Sequence, residues 1–294
     1  MGAKKQNYLP DLFFLGIPVL LFLLIVLVPL LMSVFYSLTD WDGISQRFDF
    51  VGLQNYAKIL SGKTTFMDSF FFTASMSIVS TVFTVIIGIL LASALVGKIP
   101  GKSLFRLAFF LPNTLGGVVL GYVWRFILLV GFPSAGTRVS LGIFQIPWLG
   151  MPWSAFISIA TVSIWQGVGY VMIIMIAALV GVPEDLTESA ILDGASSARI
   201  LFGIKLPVCM PYITVCIFWT LAQTFKMFDL NVSLTNGGPY GSTVSMALQI
   251  YRDAFTSNRY SLANAEGVVF FLILFAITIL QLTLSRKREA RYGV

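Results

Sequence analysis

The chain is 294 residues long, 57% hydrophobic and only 11% charged, with a formal net charge of +6 and no histidine. A soluble domain carries about 25% charged residues, so the composition excludes a water-soluble globular enzyme. The missing histidine argues against a histidine proton relay or a zinc site, and the basic excess is no nucleic-acid signal, because lysine and arginine sit beside apolar runs instead of in one patch.

Six apolar runs long enough to cross a bilayer follow one another, at about 12–36, 69–96, 105–130, 155–181, 208–230 and 264–284. Each can satisfy its own backbone hydrogen bonds, as lipid demands. The first, about 25 residues long, exceeds the apolar core of a signal peptide, and no small-residue cleavage site follows it, so it reads as a retained helix. The outer loop Ser37–Phe66 carries the turn Thr39-Asp40-Trp41-Asp42-Gly43, with Tyr36 and Trp41 suited to an interfacial aromatic belt. Between runs two and three lies Gly97-Lys98-Ile99-Pro100-Gly101-Lys102-Ser103. Its glycines are one residue too close for a nucleotide-cradling loop, and it joins two membrane helices, so it reads as a tight turn. Gly117-x-x-x-Gly121 on the third run permits close helix packing, inside the chain or between subunits. The loop Gly142–Trp153, with Pro147, Trp148, Pro152 and Trp153, is again interfacial.

The segment Pro183–Pro207 is polar and helix-forming between two apolar runs, and holds Glu184, Asp185, Glu188 and Asp193, four of the chain's 13 acidic residues. Pro183 suits a first helical turn and Asp193-Gly194 a turn between two short helices. Ser189, Ala190, Gly194, Ala195, Ser196, Ser197 and Ala198 make it slim enough to enter a partner's groove; a surface-lying amphipathic connector is the plainer reading. Cys209 and Cys216 are seven positions apart on the fifth run, about 10 Å along a helix, too far for a disulfide, and read as small buried hydrophobes. After that run come the turn Asn236-Gly237-Gly238-Pro239 and a short helix, Val244–Phe255. With no internal repeat, residues 1–294 read as one membrane domain.

Lysine and arginine set the orientation. Lys4, Lys5, Lys98, Lys102, Arg106, Arg199, Lys205, Arg286, Lys287, Arg288 and Arg291 gather on one side; Arg47, Lys58, Lys63, Arg138, Arg252 and Arg259 spread over longer loops on the other. The first side is expected to be cytoplasmic, with both termini and Pro183–Pro207. Polar groups at membrane depth usually face a bundle interior or a water-filled cavity. Trp165, Gln166 and Tyr170 on the fourth run and Trp219, Gln223 and Lys226 on the fifth combine aromatic faces with amides, which suits stacking on a sugar ring and bonding to its hydroxyls; interhelical packing is the plainer alternative for any one of them. Lys226 and Asp229 are three apart and can pair on a helix face, whereas Arg125 and Asp229 lie near helix ends.

Glu188-Ser189-Ala190-x-x-Asp193-Gly194-Ala195, followed by Phe202-x-Ile204-x-Leu206-Pro207, resembles the EAA motif of permease subunits from binding-protein-dependent ABC importers, with Ser189 and Arg199 where the family usually has alanine and often glutamine. Tyr36 to Trp41, Phe50 to Tyr56, Phe105-Arg106 with Phe110-Leu111-Pro112, and Phe228 to Pro239 resemble its carbohydrate branch, the maltose- and glycerol-phosphate-type permeases. The resemblance implies an all-α integral membrane protein of type I importer permease fold. It implies six membrane helices and a cytoplasmic coupling loop whose Glu188, Ser189, Ala190, Asp193, Gly194 and Ala195 dock on a separate ATPase subunit. It also implies a second permease subunit, forming a heterodimer, two cytoplasmic ATPase subunits that use ATP and magnesium, an extracytoplasmic solute-binding protein, a sugar-like solute, and a prokaryotic inner-membrane location. The chain itself is expected to bind no cofactor or metal and to catalyse nothing. The alternatives are a self-contained secondary transporter of a small polar solute, for which Glu266 is the one candidate ion-coupling carboxylate, and a membrane enzyme, for which the sequence offers no constellation.

Overall fold

The computed structural model describes residues 8–97, 100–138 and 141–292, with side chains described between 14 and 283. The termini that the charge asymmetry assigns to the cytoplasm, at 1–7 and 293–294, and Lys98-Ile99 of the glycine-bounded turn, lie outside them. Beyond an isolated bridge between Thr39 and Phe50, the described regular structure is helical. Five helices are long and apolar enough to cross a membrane: α1 Phe14–Ser37, α3 Phe66–Val96, α5 Gly117–Gly136, α6 Pro152–Val180 and the span Tyr260–Thr283 of α12. Two further helices, α8 Ser197–Val208 and α9 Met210–Phe225, meet at 74° and together make the sixth. Shorter helices join them: α2 Gln54–Leu60, α4 Lys102–Thr114, α7 Glu184–Leu192, α10 Asp229–Leu234 and α11 Met246–Phe255.

Two of the expected runs are not single helices. The run at 105–130 ends as α4 at Thr114 and resumes as α5 at Gly117, because Leu115 and Gly116 are extended, with ψ of 135° and 140°. The run at 208–230 stops at Phe225, and α10 begins only at Asp229, after Phe228 leaves the helical region. Hydropathy is continuous across both breaks, so apolar length alone does not detect them.

Three helices widen into a π turn, at Leu23–Leu27, Ile127–Gly131 and Leu201–Lys205. Each is followed, two residues on, by a proline: Pro29, Pro133 and Pro207. Proline has no N–H to give the carbonyl four residues back, and its ring clashes with that carbonyl. Those carbonyls belong to Ile25, Leu129 and Gly203, each inside the widened turn. The local change of pitch absorbs the missing bond, and the helix continues.

The chain packs as two compact units. One comprises residues up to Phe66 together with Ile250–Leu272. Its polar groups do the joining: Ser33 Oγ donates to Asn264 Oδ1 at 2.7 Å, Thr39 Oγ1 and Ser261 Oγ are 2.9 Å apart, and the buried Asn55 amide donates to the carbonyls of Ser37 and Thr39. Asp253, 1% exposed, is ion-paired to Arg259. Glu266 is fully buried near Asp253, and neither of its carboxyl oxygens has a hydrogen-bond partner.

The other unit comprises Met67–Gln249 with the residues from Ile273 on. It has two apolar clusters. One, around Leu120, Ile159, Val162, Leu230 and Leu234, packs α5, α6 and α10 together. The other, around Ala92, Val171, Met172, Met175 and Leu179, takes in both cysteines, buried and unpaired. The glycine pair of α5 is used here. A Cβ on Gly117 would sit 3.0 Å from that of Asp229, and one on Gly121 would overlap the Ser233 hydroxyl. These glycines let α10 lie directly on α5, so the motif serves packing inside the chain. Gly169 does the same for α4, whose Phe109 carbonyl occupies the place a side chain would take.

Candidate functional site

The two helix breaks open onto one cavity of about 480 Å³ inside the second unit, within the usual range of about 300–1,000 Å³ for small-molecule sites. From the first break come Asn113 and Gly117; from α6, Ser163, Gln166 and Gly167; from α9, Trp219, Thr220, Gln223 and Thr224; from the second break and α10, Lys226 to Leu230. Broken helices supply polar groups at membrane depth because the unwound backbone lines a cavity and not lipid.

Side-chain bonds hold the first break in place. Asn113 Nδ2 donates to the Gln166 carbonyl at 3.3 Å, and Gln166 Nε2 donates back to the Leu115 carbonyl at 3.1 Å. Gln166 thus spends its donor on the scaffold and has its Oε1 to offer a ligand. On α9, the Thr220 and Thr224 hydroxyls donate to the carbonyls of Cys216 and Thr220, both at 2.8 Å, so their oxygens remain as acceptors. The wall made by Trp219 is stiffened by Tyr170, which stacks on it at 3.9 Å between ring centroids. Gly167 keeps the α6 side low; a Cβ there would press on Thr84 at 3.1 Å and reach Trp219 at 4.0 Å.

Lys226 and Asp229 do not pair. Three-residue spacing brings side chains together only along a continuous helix, and the helix ends between them. Lys226 caps the C-terminus of α9 and Asp229 opens α10, each where the helix dipole favours its charge. The result is an exposed ammonium and an exposed carboxylate lining the same cavity. The cavity therefore offers donors, acceptors, one charge of each sign and an aromatic face, which suits a polyhydroxylated ligand.

Of the residues singled out in the sequence, Gln166, Trp219, Gln223 and Lys226 line this cavity, and Tyr170 backs it through Trp219. Trp165 does not; it packs edge-on against Trp124 at 5.6 Å. Neighbouring helix positions face different ways, so Trp165 cannot share the face of Gln166, whereas Ser163 and Gly167 can. Asn113, Ser163, Thr220, Thr224 and Asp229 were not singled out for this site. The available signal was the breaker chemistry of Pro112-Asn113 and Gly116-Gly117 inside an apolar run.

The second feature is the exposed loop after α6. The α7 helix ends at Asp193, and the Ala195 amide donates back to the Ala190 carbonyl at 2.9 Å while the Gly194 amide donates to the Ile191 carbonyl at 3.0 Å. With Gly194 at φ +77°, this is a Schellman end. Ser196 then caps α8 by accepting from the Arg199 amide at 3.4 Å. The sequence Asp193-Gly194-Ala195-Ser196 thus closes one helix and opens the next. Ala190 is buried under the turn, while Glu188, Ser189, Asp193 and Gly194 are exposed and Ala195 is half-buried. Leu186, Ile191 and Leu192 are also exposed, Leu192 to 88%. The glycine-bounded turn at 97–103 leads from α3 into α4, with Gly101 at φ +73°; it joins helix to helix and does not have the strand-to-helix setting of a phosphate cradle.

Comparison with known proteins agrees with both features. The family model of the binding-protein-dependent transport system inner membrane component matches residues 84–289. The chain is 36% identical to a probable starch degradation products transport system permease protein, AmyD, of Thermoanaerobacterium thermosulfurigenes, over 98% of this chain and 99% of that one. It is 35% identical to a multiple sugar-binding transport system permease protein, MsmF, of Streptococcus mutans, over 94% and 95% of the two chains. Among solved structures, a chain of a bacterial ABC transporter involved in the import of the acidic polysaccharide alginate superposes with a TM-score of 0.82 over 96% of each chain; at 20% identity this likeness concerns the fold.

Proposed function

The chain belongs to the family of binding-protein-dependent transport system inner membrane components, and from that premise we propose that it is a permease subunit of an ATP-driven sugar importer. Its part is to pass a saccharide, delivered by an extracytoplasmic binding protein, across the membrane. The observation that carries this reading is the cavity at the two helix breaks, where Gln166, Gln223, Lys226 and Asp229 surround the Trp219 face at membrane depth. The names of the relatives, which concern starch degradation products and multiple sugars, support a carbohydrate.

In this reading the solute's apolar ring face lies on Trp219, and its hydroxyls bond to the Gln166 and Gln223 amides, Lys226 and Asp229. The chain does no covalent chemistry. ATP and magnesium belong to cytoplasmic ATPase subunits, two per transporter, and a second, related permease completes the pathway as a heterodimer. The Schellman-ended α7 is the docking element: Glu188 pairs with a basic group of the ATPase, and the slim Ser189, Ala190 and Ala195 let it seat. Closure of the ATPase pair then moves α7 and, through Pro183, the end of α6. Both termini and this loop face the cytoplasm of a prokaryotic cell.

The test is uptake of radiolabelled saccharides by the reconstituted complex with its binding protein. ATP-dependent uptake that fails when Trp219 is replaced by alanine is the expected result. Uptake by this chain alone, driven by an ion gradient, overturns the reading in favour of a secondary transporter.

A further inference from the structure

The loop between α1 and α2 and the corner between α11 and α12 enclose a second cleft, of about 440 Å³, within the first unit. Asp40, Trp41, Asp42, Lys58, Lys63 and Arg259 are among its lining residues. The charge asymmetry of the sequence puts it on the outer side of the membrane, opposite the α7 loop.

Most of its charges are already engaged. Asp42 accepts from the Ile44 amide at 2.9 Å, from the Ser45 amide at 2.7 Å and from the Ser45 hydroxyl at 2.7 Å. Asp40 accepts from the Asp49 amide at 2.7 Å. Arg259 is held by Asp253. Lys58 and Lys63 differ: Lys58 Nζ donates to Asn55 Oδ1 at 3.4 Å, and among the described residues neither lysine has an ion-pair partner. Two uncommitted ammonium groups therefore stand in one cleft.

The frame around them is rigid. The Trp41 indole donates to the Ser45 carbonyl at 2.9 Å and stacks on Tyr36 at 4.5 Å. Gly43, at φ +88°, lies so close to the Tyr260 ring that no Cβ fits. The Asn55 amide ties α2 to the carbonyls of Ser37 and Thr39. Cations fixed on a preorganised surface bind a partner's anion with little ordering cost, and exposed charges of this kind steer association.

We propose that this cleft receives an acidic side chain of the solute-binding protein, with Lys58 and Lys63 as its counter-charges. The proposal rests on the permease reading above and adds where the delivering protein takes hold of this subunit. Carboxylates within the cleft are saturated by their own loop, so the complementary group comes from outside, and a carboxylate is what two free ammonium groups select.

The experiment measures association of the binding protein with the complete transporter in lipid nanodiscs. Lys58→Glu combined with Lys63→Glu should slow association about tenfold at low ionic strength and converge on wild type near 1 M salt, where the screening length is about 3 Å. Lys63→Gln, a milder change on an exposed loop, should show a smaller effect of the same sign and keeps the test open if the double reversal does not assemble. ATPase activity without binding protein should be unchanged. Wild-type association by both variants overturns the proposal and leaves the permease reading intact. A defect seen only in anionic nanodiscs and absent in zwitterionic ones assigns the lysines to lipid phosphate and also overturns it. A wild-type complex that takes up no binding protein at all sinks the permease reading and this proposal together.

Discussion

Gln166 donates its side-chain amide to the main-chain carbonyl of Leu115 at 3.1 Å, and so fastens the break between α4 and α5 to the middle of α6. One bond joins the scaffold of the cavity to one of its lining residues. Gln166→Leu removes the donor and leaves the Leu115 carbonyl without it, a loss of roughly 1–3 kcal/mol. The expected outcome is a lower melting temperature of the purified complex and a raised KM for the solute. Gln166→Glu removes the same donor but keeps the shape, so it should share the stability loss. Unchanged melting in both variants would show that the break holds itself.

The stack of Tyr170 on Trp219 predicts an ordered mutant series. An aromatic pair contributes about 0.5–1.5 kcal/mol beyond its burial, and roughly 1.4 kcal/mol is a factor of ten in binding. Trp219→Ala should raise KM most, since it removes the wall itself. Tyr170→Ala should raise it up to about tenfold by loosening the wall, and Tyr170→Phe should leave it near wild type. Uptake kinetics over a range of solute concentration decide the order.

Gly194 has open space around the position of a Cβ, so its requirement is conformational and not steric within the chain. A side chain at φ +77° costs roughly 1–2 kcal/mol, and asparagine tolerates the left-handed region best. Gly194→Val should lose ATPase co-purification and uptake, while Gly194→Asn retains a substantial part of both. Equal loss in the two would point to crowding at the partner's groove as the cause.

Glu188→Lys tests the proposed docking charge. A charge-assisted hydrogen bond contributes roughly 1.5–3 kcal/mol, so reversal should weaken ATPase association by at least tenfold. Solute binding by the isolated binding protein should not change. Association at wild-type strength removes Glu188 from the interface.

Glu266 separates the two transport mechanisms. It is fully buried and its carboxyl oxygens have no hydrogen-bond partner, which makes it the one residue an ion-coupled transporter could use. In an ATP-driven importer Glu266→Gln keeps uptake, and a protonophore leaves it unaffected. Loss of uptake in the variant, together with sensitivity to the protonophore, favours the secondary transporter.

Asp42 makes the outer loop acid-sensitive in a defined window. The Ser45 amide and hydroxyl and the Ile44 amide hold its carboxyl down from 3.8 to about 2. A group whose pKa falls on folding supplies its stabilisation above the ordinary value and loses it as the pH falls through the lowered one. Protection of the Ile44 and Ser45 amides against hydrogen exchange should hold at pH 5 and decline between about pH 4 and 2. Asp42→Asn should flatten that dependence.

The membrane helices were legible because lipid makes hydropathy a nearly complete criterion: α1, α3, α6 and α12 follow their apolar runs. The breaks were not. At Gly116-Gly117 the glycines announced one, yet the apolar run concealed it. At Lys226 to Phe228 no glycine or proline marks the end of α9, and the break is seen only where α10 lies against Gly117 and Gly121. The cavity exists because of those breaks, so a reading by continuous runs could find residues of its wall but not its shape. Lys226 and Asp229 show the difference most clearly, since a pair drawn on one helix becomes two separate charges once the helix ends between them. The Asp193-Gly194 turn was legible for the opposite reason: its geometry is set within a few residues of sequence.

The contrast between α6 and its neighbours has a mechanical consequence. Around the cavity, α4–α5 and α9–α10 are jointed, while α6 runs unbroken for 29 residues from Pro152 to Val180 and carries Gln166 near its middle. From Gln166 to the last turn is about 20 Å of stiff rod at 1.5 Å per residue. A push delivered at Pro183 is not dissipated by bending along that length. It arrives at Gln166 as displacement, and the parts that yield are the joints opposite. The stroke of the ATPase is thereby spent on changing the width of the cavity, with α6 as the push-rod and the two breaks as its hinges.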